Sequence, residues 1–101
     1  MENQFIITKK VAKHGSQSVI VIPRILENEL KPRTIAKITI DVLKTETSED
    51  RQFTITKKIA KHGSQAIIIV PRILENELRP STLVKLTIDI LKNSEAENGR
   101  S

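Results

Sequence analysis

Residues 1–101 spell a mostly β protein with one short helix per repeat, in which two halves of a single chain interlock as a pseudo-dimer. Two observations carry this reading. Residues 5–44 and 53–92 align without a gap at an offset of 48, and 28 of the 40 positions are identical. The apolar residues are overwhelmingly Ile, Val and Leu, with aromatics at 2%, namely Phe5 and Phe53. β-Branched side chains fit a pleated surface, so this composition favours strands. Size supplies the link between the two. A β-rich unit as short as one repeat rarely buries enough apolar surface to stand alone, so each copy is expected to complete the other.

The organisation follows: repeat one over 1–44, a polar linker over 45–52, repeat two over 53–92, and a flexible tail over 93–101, the two repeats forming one globular unit. Each repeat reads as strand, tight turn, strand, short helix, strand. The first strand spans Phe5 to Lys13, with Phe53 to Lys61 as its twin. Phe5, Ile7 and Val11 share one face and Thr8, Lys10 and Ala12 the other, the period-two pattern of a half-buried strand. Lys9 and Lys57 fall on the apolar face, which a bulge or a snorkelling stem resolves.

His14-Gly15-Ser16-Gln17 reads as a hairpin turn, because Gly supplies positive φ and Ser favours turns. The runs Val19 to Ile22 and Ile67 to Val70 are apolar throughout, which implies burial on both faces and a central position. Pro23 and Pro71 end these strands and open a helix, since proline fits the first helical position. Ile25, Leu26 and Leu30 fall on one helical face, and Pro32 and Pro80 stop the helices after about two turns. In the last strand Ala36, Ile38, Ile40 and Val42 point inward while Lys37, Thr39 and Asp41 point out. Its twin runs from Val84 to Ile90. Phe53 to Ile59 is expected to pair with Ala36 to Val42, and Phe5 to Val11 with Val84 to Ile90, closing the pseudo-dimer.

Net charge is +5, and the aligned copies hold the surplus: residues 5–44 carry eight Lys/Arg against three Asp/Glu, residues 53–92 seven against three. The linker and tail are acidic. Basic folded units with acidic connectors suit a polyanion, and nucleic acid is the usual one. There is no Cys, which excludes disulfides and thiolate metal sites. No apolar run reaches the roughly 18 residues that cross a bilayer. The opening MENQF lacks signal-peptide features, so a cytoplasmic protein without membrane contact is expected. Absent Trp, one Met and abundant Lys, Glu, Arg and Ile suit a thermophile.

The run Lys13-His14-Gly15-Ser16-Gln17-Ser18-Val19-Ile20-Val21-Ile22-Pro23, repeated at Lys61 to Pro71, resembles the signature of the AbrB/MazE (SpoVT-AbrB) swapped-hairpin family. The likeness lies in a basic strand end, a Gly-Ser turn, a β-branched strand, Ile-Pro, a short helix and an alternating strand. It covers both copies, hence most of the chain. It implies an AbrB-like β-barrel of interleaved hairpins, with basic residues around the hairpins and the hinge helix binding DNA. Family members include transcription regulators, archaeal small DNA-binding proteins, and antitoxins that repress their own operons. By position, Lys13 and Lys61 match a basic DNA-contact site before the turn glycine, and Ser16, Gln17, Ser64 and Gln65 match polar turn sites. The chain departs at Val21 and Ile69, where MazE-type antitoxins carry a DNA-contacting arginine. Arg24 and Arg72 lie just past the proline.

The candidate DNA-binding set is Lys9, Lys10, Lys13, His14, Ser16, Gln17 and Arg24 with their twins Lys57, Lys58, Lys61, His62, Ser64, Gln65 and Arg72. A β-ribbon or strand edge enters the major groove, where Lys and Arg reach phosphates or guanine. With two aromatics there is little to stack on unpaired bases, so duplex is favoured over single strands. The histidines suit a phosphate or base-edge contact or, equally, a turn role without a ligand. Without Cys or clustered carboxylates no metal site or other cofactor is expected. Ser16 beside His14 is adjacency in sequence, which does not make a nucleophile and base, so no enzyme is expected.

The leading expectation is a double-stranded DNA-binding transcriptional regulator, nucleoid-associated. The alternatives are an antitoxin-like module that neutralises a toxin partner, with 93–101 as the capture segment, or a non-specific chromatin-coating protein. Further association of chains into a homo-oligomer is left open, as is which strands swap.

Overall fold

The computed structural model describes residues 4–43 and 51–92. The tail 93–101 and most of the expected linker lie outside the described residues. Among the described residues eight strands occur: β1 (Gln4–Lys10), β2 (Ala12–His14), β3 (Gln17–Val21), β4 (Ile35–Val42), β5 (Arg51–Lys58), β6 (Ala60–His62), β7 (Gln65–Ile69) and β8 (Leu83–Lys92). Arg51 and Gln52, read from sequence as linker, begin β5. The strands form two four-stranded antiparallel sheets. The larger has the order β1-β8-β4-β5 and the smaller β2-β3-β7-β6.

Of the six strand pairings, the hairpins β2·β3 and β6·β7 lie within a copy and the other four cross between copies. The expected reciprocal pairings are present: Ile40 faces Phe53 and Ile38 faces Ile55, while Phe5 faces Ile88 and Ile7 faces Leu86. The central registers carry a further regularity. Thr39 pairs with Thr87 in the large sheet, and Ile20 with Ile68 in the small one. Each pair joins equivalent residues of the two copies, so an approximate two-fold axis passes through the middle of both sheets. Surface contacts obey it as well. Gln4 Nε2 donates to Asp89 Oδ1 at 2.7 Å, and its twin Gln52 Nε2 donates to Asp41 Oδ1 at 2.6 Å.

The core sits between the sheets. Ile20, Ile22, Leu30, Ala36, Ile38 and Ile40 meet Ile68, Val70, Leu78, Val84, Leu86 and Ile88, all fully or almost fully buried. The last strands alternate as their sequence requires, with Lys37 and Lys85 turned to solvent. β3 and β7 take the centre of the small sheet and bury both faces, as their unbroken apolar runs demand.

Two expectations are corrected. The first strand is not continuous to Lys13. It breaks at Val11, and its twin at Ile59, where the chain leaves the large sheet for the small one. At that corner Val11 N–H donates to Thr82 O at 2.8 Å and Val11 O accepts from Ser81 N at 2.7 Å. Ile59 makes the same two bonds with Thr34 and Arg33, both at 2.8 Å. The inward phase slips by one residue there: Phe5, Ile7 and Lys9 lead to buried Val11, after which Ala12 turns inward. Such a slip acts as a bulge and lets one chain segment serve two sheets.

The second correction concerns the helix. The expected two turns reduce to a 3-10 turn over Arg24–Leu26, with its twin over Arg72–Leu74. Eight residues between Pro23 and Pro32 are too few to repay helix nucleation. The segment instead docks through Leu30, which is buried, and Leu26, which packs against the core. Ile25, expected on the docking face, is 85% exposed. The following turn is closed by Thr34 N donating to Lys31 O at 3.0 Å, with Arg33 at φ 80°. Proline followed by a positive φ is the type II pattern. Ser81 repeats it at φ 79°.

Among the described residues no helix is long and apolar enough to cross a membrane.

Candidate nucleic-acid interface

The hairpin tips are built as their sequence suggests. His14 pairs with Gln17 across Gly15-Ser16, and Gly15 lies at φ 61° while Ser16 keeps a negative φ. Glycine with positive φ at the first central position is the type II′ signature, whose twist matches the flanking strands. The second hairpin repeats this with Gly63 at φ 63° and the pair His62–Gln65.

The two hairpins meet. The His14 and His62 rings lie with centroids 4.2 Å apart and a 40° tilt, again joining equivalent residues across the two-fold axis. Nδ1 of His14 is shielded and has no hydrogen-bond partner among the described residues, so the contact is ring on ring. Cross-strand partners share a face of a sheet. By register, His14, Gln17, Val19 and Val21 therefore lie on one face with Ile67, Ile69, Gln65 and His62. Val19 and Ile67 are buried yet stand apart from the main core cluster. The small sheet thus carries a second, minor apolar layer, with the paired imidazoles on the same face. Lys13 and Lys61 take the opposite pleat and are exposed. Adjacent in sequence, Lys13 and His14 point to different sides.

The topology also reassigns partners. Ile22 N donates to Ala66 O at 2.9 Å, and Val70 N to Ser18 O at 3.0 Å. These bonds set Pro23 and Arg24 of copy one beside the hairpin of copy two, and Pro71 and Arg72 beside that of copy one. Sequence reading groups Arg24 with Lys13; the fold instead brings the segment that carries it beside the hairpin of the other copy. A cleft of about 260 Å³ opens at this corner, lined by Glu27, Asn28, Lys31 and Pro32 from one copy and Lys61, Ser64, Gln65 and Ala66 from the other. Lys31 and Asn28 were not singled out from sequence. Only the cross-copy pairing brings them near the hairpin.

The remaining basic residues are spread more widely. Lys10 and Lys58 are exposed at the ends of β1 and β5, the two opposite edge strands of the large sheet. Lys9 and Lys57 are half-buried on the inward face, the placement of a snorkelling lysine. Arg24 and Arg72 are exposed on their 3-10 turns. Among the described residues none of these basic side chains is ion-paired; the ion pair there joins Arg51 to Glu77. No group of three or more His, Cys, Asp or Glu suited to a metal ion occurs among the described residues.

No family model and no curated protein matches the chain. Among solved structures it is similar to the solution structure of PHS018 from Pyrococcus horikoshii, with a TM-score of 0.68 and 18% identity over 91% of this chain and 97% of that one. Such a likeness speaks to fold alone. Its coverage shows that the doubled body as a whole, not a single copy, has a counterpart.

Proposed function

We propose that the chain is a double-stranded DNA-binding protein of the AbrB/MazE swapped-hairpin type, a transcriptional regulator in which one chain does the work of a dimer. The observation that carries this reading is the meeting of the two hairpin ends at His14 and His62 on the two-fold axis. Duplex DNA has local two-fold symmetry, and a protein with matching symmetry presents equivalent groups to its two strands. Exposed Lys13 and Lys61 flank that axis, with Gln17 and Gln65 on the pleat of the imidazoles. Lysines bind phosphate and supply affinity; glutamine and arginine read base edges and supply any sequence preference. Arg24 with Lys31 and Lys61, and Arg72 at the other end, extend the contact along the backbone. Nucleoid association in the cell follows from this activity.

Titration of duplex DNA at several salt concentrations tests the reading. Affinity is expected to fall steeply with salt, because cationic contacts release counterions. No binding at low salt, or an affinity indifferent to salt, overturns it. Selection from a random duplex library at physiological salt then separates a regulator, which enriches a motif, from a protein that coats DNA without preference.

A further inference from the structure

Two isoleucines sit where folding gives them nothing to do. Ile25 is 85% exposed and its twin Ile73 is 86% exposed, each on a 3-10 turn directly after an exposed arginine. Single exposed apolar residues are ordinary on protein surfaces and need no explanation. The comparison of the two copies makes this pair different. Buried positions differ freely between copies, as in Val11/Ile59, Val19/Ile67, Ala36/Val84 and Ile38/Leu86. Exposed Ile6, 60% accessible, is matched by Thr54. Yet Pro23 to Leu30 is identical to Pro71 to Leu78 throughout, including the exposed isoleucine that no packing restrains.

The surroundings point to a partner. Pro23 and the cross-copy bond from Ile22 to Ala66 hold each turn against the opposite hairpin. Ile25 therefore projects, directly after exposed Arg24, from a turn whose incoming strand end lies beside Ala66, and the turn's continuation through Glu27 and Lys31 shares a cleft with Lys61 and Gln65. An apolar knob beside cationic and amide groups fits a polyanion with an apolar interior, which describes the grooves of duplex DNA. Resting on the DNA-binding reading above, we infer that Ile25 and Ile73 each make an apolar contact with the bases, one per half. The adjacent arginines hold the flanking phosphates. Two forms of contact share this chemistry: a wedge against a base step, which kinks the duplex, and packing on a thymine methyl in the major groove.

The test uses the full chain carrying Ile25→Ser and Ile73→Ser together. Both side chains are exposed, so the fold is expected to survive, and a thermal melt checks it. Affinity for a duplex that the parent binds is expected to drop at least about tenfold, since each isoleucine loses its burial. The salt slope is expected to stay unchanged, because no phosphate contact is removed. Loss of a DNA bend, read by end-to-end energy transfer, supports the wedge. A matching loss when thymine is replaced by uracil supports the methyl contact. Parent-like affinity in the variant overturns the inference while leaving DNA binding intact. So does a change confined to self-association of the free chain, seen by light scattering. A parent chain that binds no duplex instead removes the underlying reading.

Discussion

Producing residues 1–50 without the second repeat is expected to abolish the folded monomer. In the intact chain β4 lies between β5 and β8, β1 pairs with β8, and β3 pairs with β7, every one of these partners coming from the other copy. The half-chain keeps the hairpin β2·β3 alone. Its buried side chains are Val11, Val19, Ile20, Ile22, Leu30, Ala36, Ile38 and Ile40. If cross-copy packing supplies half the burial of the seven larger ones, at about 2 kcal/mol per side chain, roughly 7 kcal/mol is lost. Whole domains are stable by only about 5–15 kcal/mol, so the remainder does not hold a monomer together. The copies are similar enough that two half-chains are expected to take each other's places, with Thr39 and Ile20 facing their own counterparts. Folding then becomes concentration-dependent, as in an obligate homodimer. Circular dichroism across a dilution series, with light scattering at each point, reads this directly. A folded species with the mass of one half-chain and a dispersed NMR spectrum would refute the reasoning.

Three further predictions concern defined positions. Lys13→Ala with Lys61→Ala is expected to lower the salt slope of duplex binding by about 1.8 units if each lysine holds one phosphate, so that the penalty relative to the parent shrinks about twelvefold between about 50 and 200 mM salt. An unchanged slope moves the phosphate contacts elsewhere. Arg33→Gly with Ser81→Gly places glycine where φ is 80° and 79°. Relief of the left-handed penalty, less the extra entropy of unfolded glycine, is expected to add about 0.5 kcal/mol per site in urea denaturation; a lower midpoint counts against strain at these turns. Gly15→Ala with Gly63→Ala meets no atom within 4 Å of either new Cβ. Its cost is therefore backbone alone, about 1–3 kcal/mol per site in the same assay, since the first position of a type II′ turn is one that L side chains rarely adopt, and a loss well beyond that would mean that the tips are packed more tightly.

The hairpin turns and the reciprocal pairing of β5 with β4 and of β1 with β8 were legible in the residues, whereas the pairings β3·β7 and β4·β8 that complete the sheet orders were not. Alternation exposed β4 and β8, the unbroken run Val19 to Ile22 exposed a strand buried on both faces, and the repeat itself implied reciprocal pairing. What stayed hidden depends on three-dimensional closure. Val11 reads as one more inward residue of a long strand, because nothing local distinguishes a corner from a continuation. Ile25 reads as core because its spacing from Leu26 and Leu30 fits a helix. Two prolines and a positive φ at Arg33 leave no room for that helix, and the isoleucine turns outward. The candidate site divides in the same way. Local sequence found the hairpin tips, but neither the His14–His62 contact nor the placing of the Arg24 segment beside the opposite hairpin follows from one copy considered by itself.

A homodimer cannot alter one of its sides, since every mutation arrives in duplicate. The covalent doubling seen in β4 and β8 lifts that obligation. Exposed Ile6 in one half is matched by Thr54 in the other, and Arg33 is answered by Ser81. Each half is thus at liberty to diverge while the shared scaffold of Thr39, Thr87, Ile20 and Ile68 keeps the two in register. Covalent doubling thereby gives one body a distinguishable left and right.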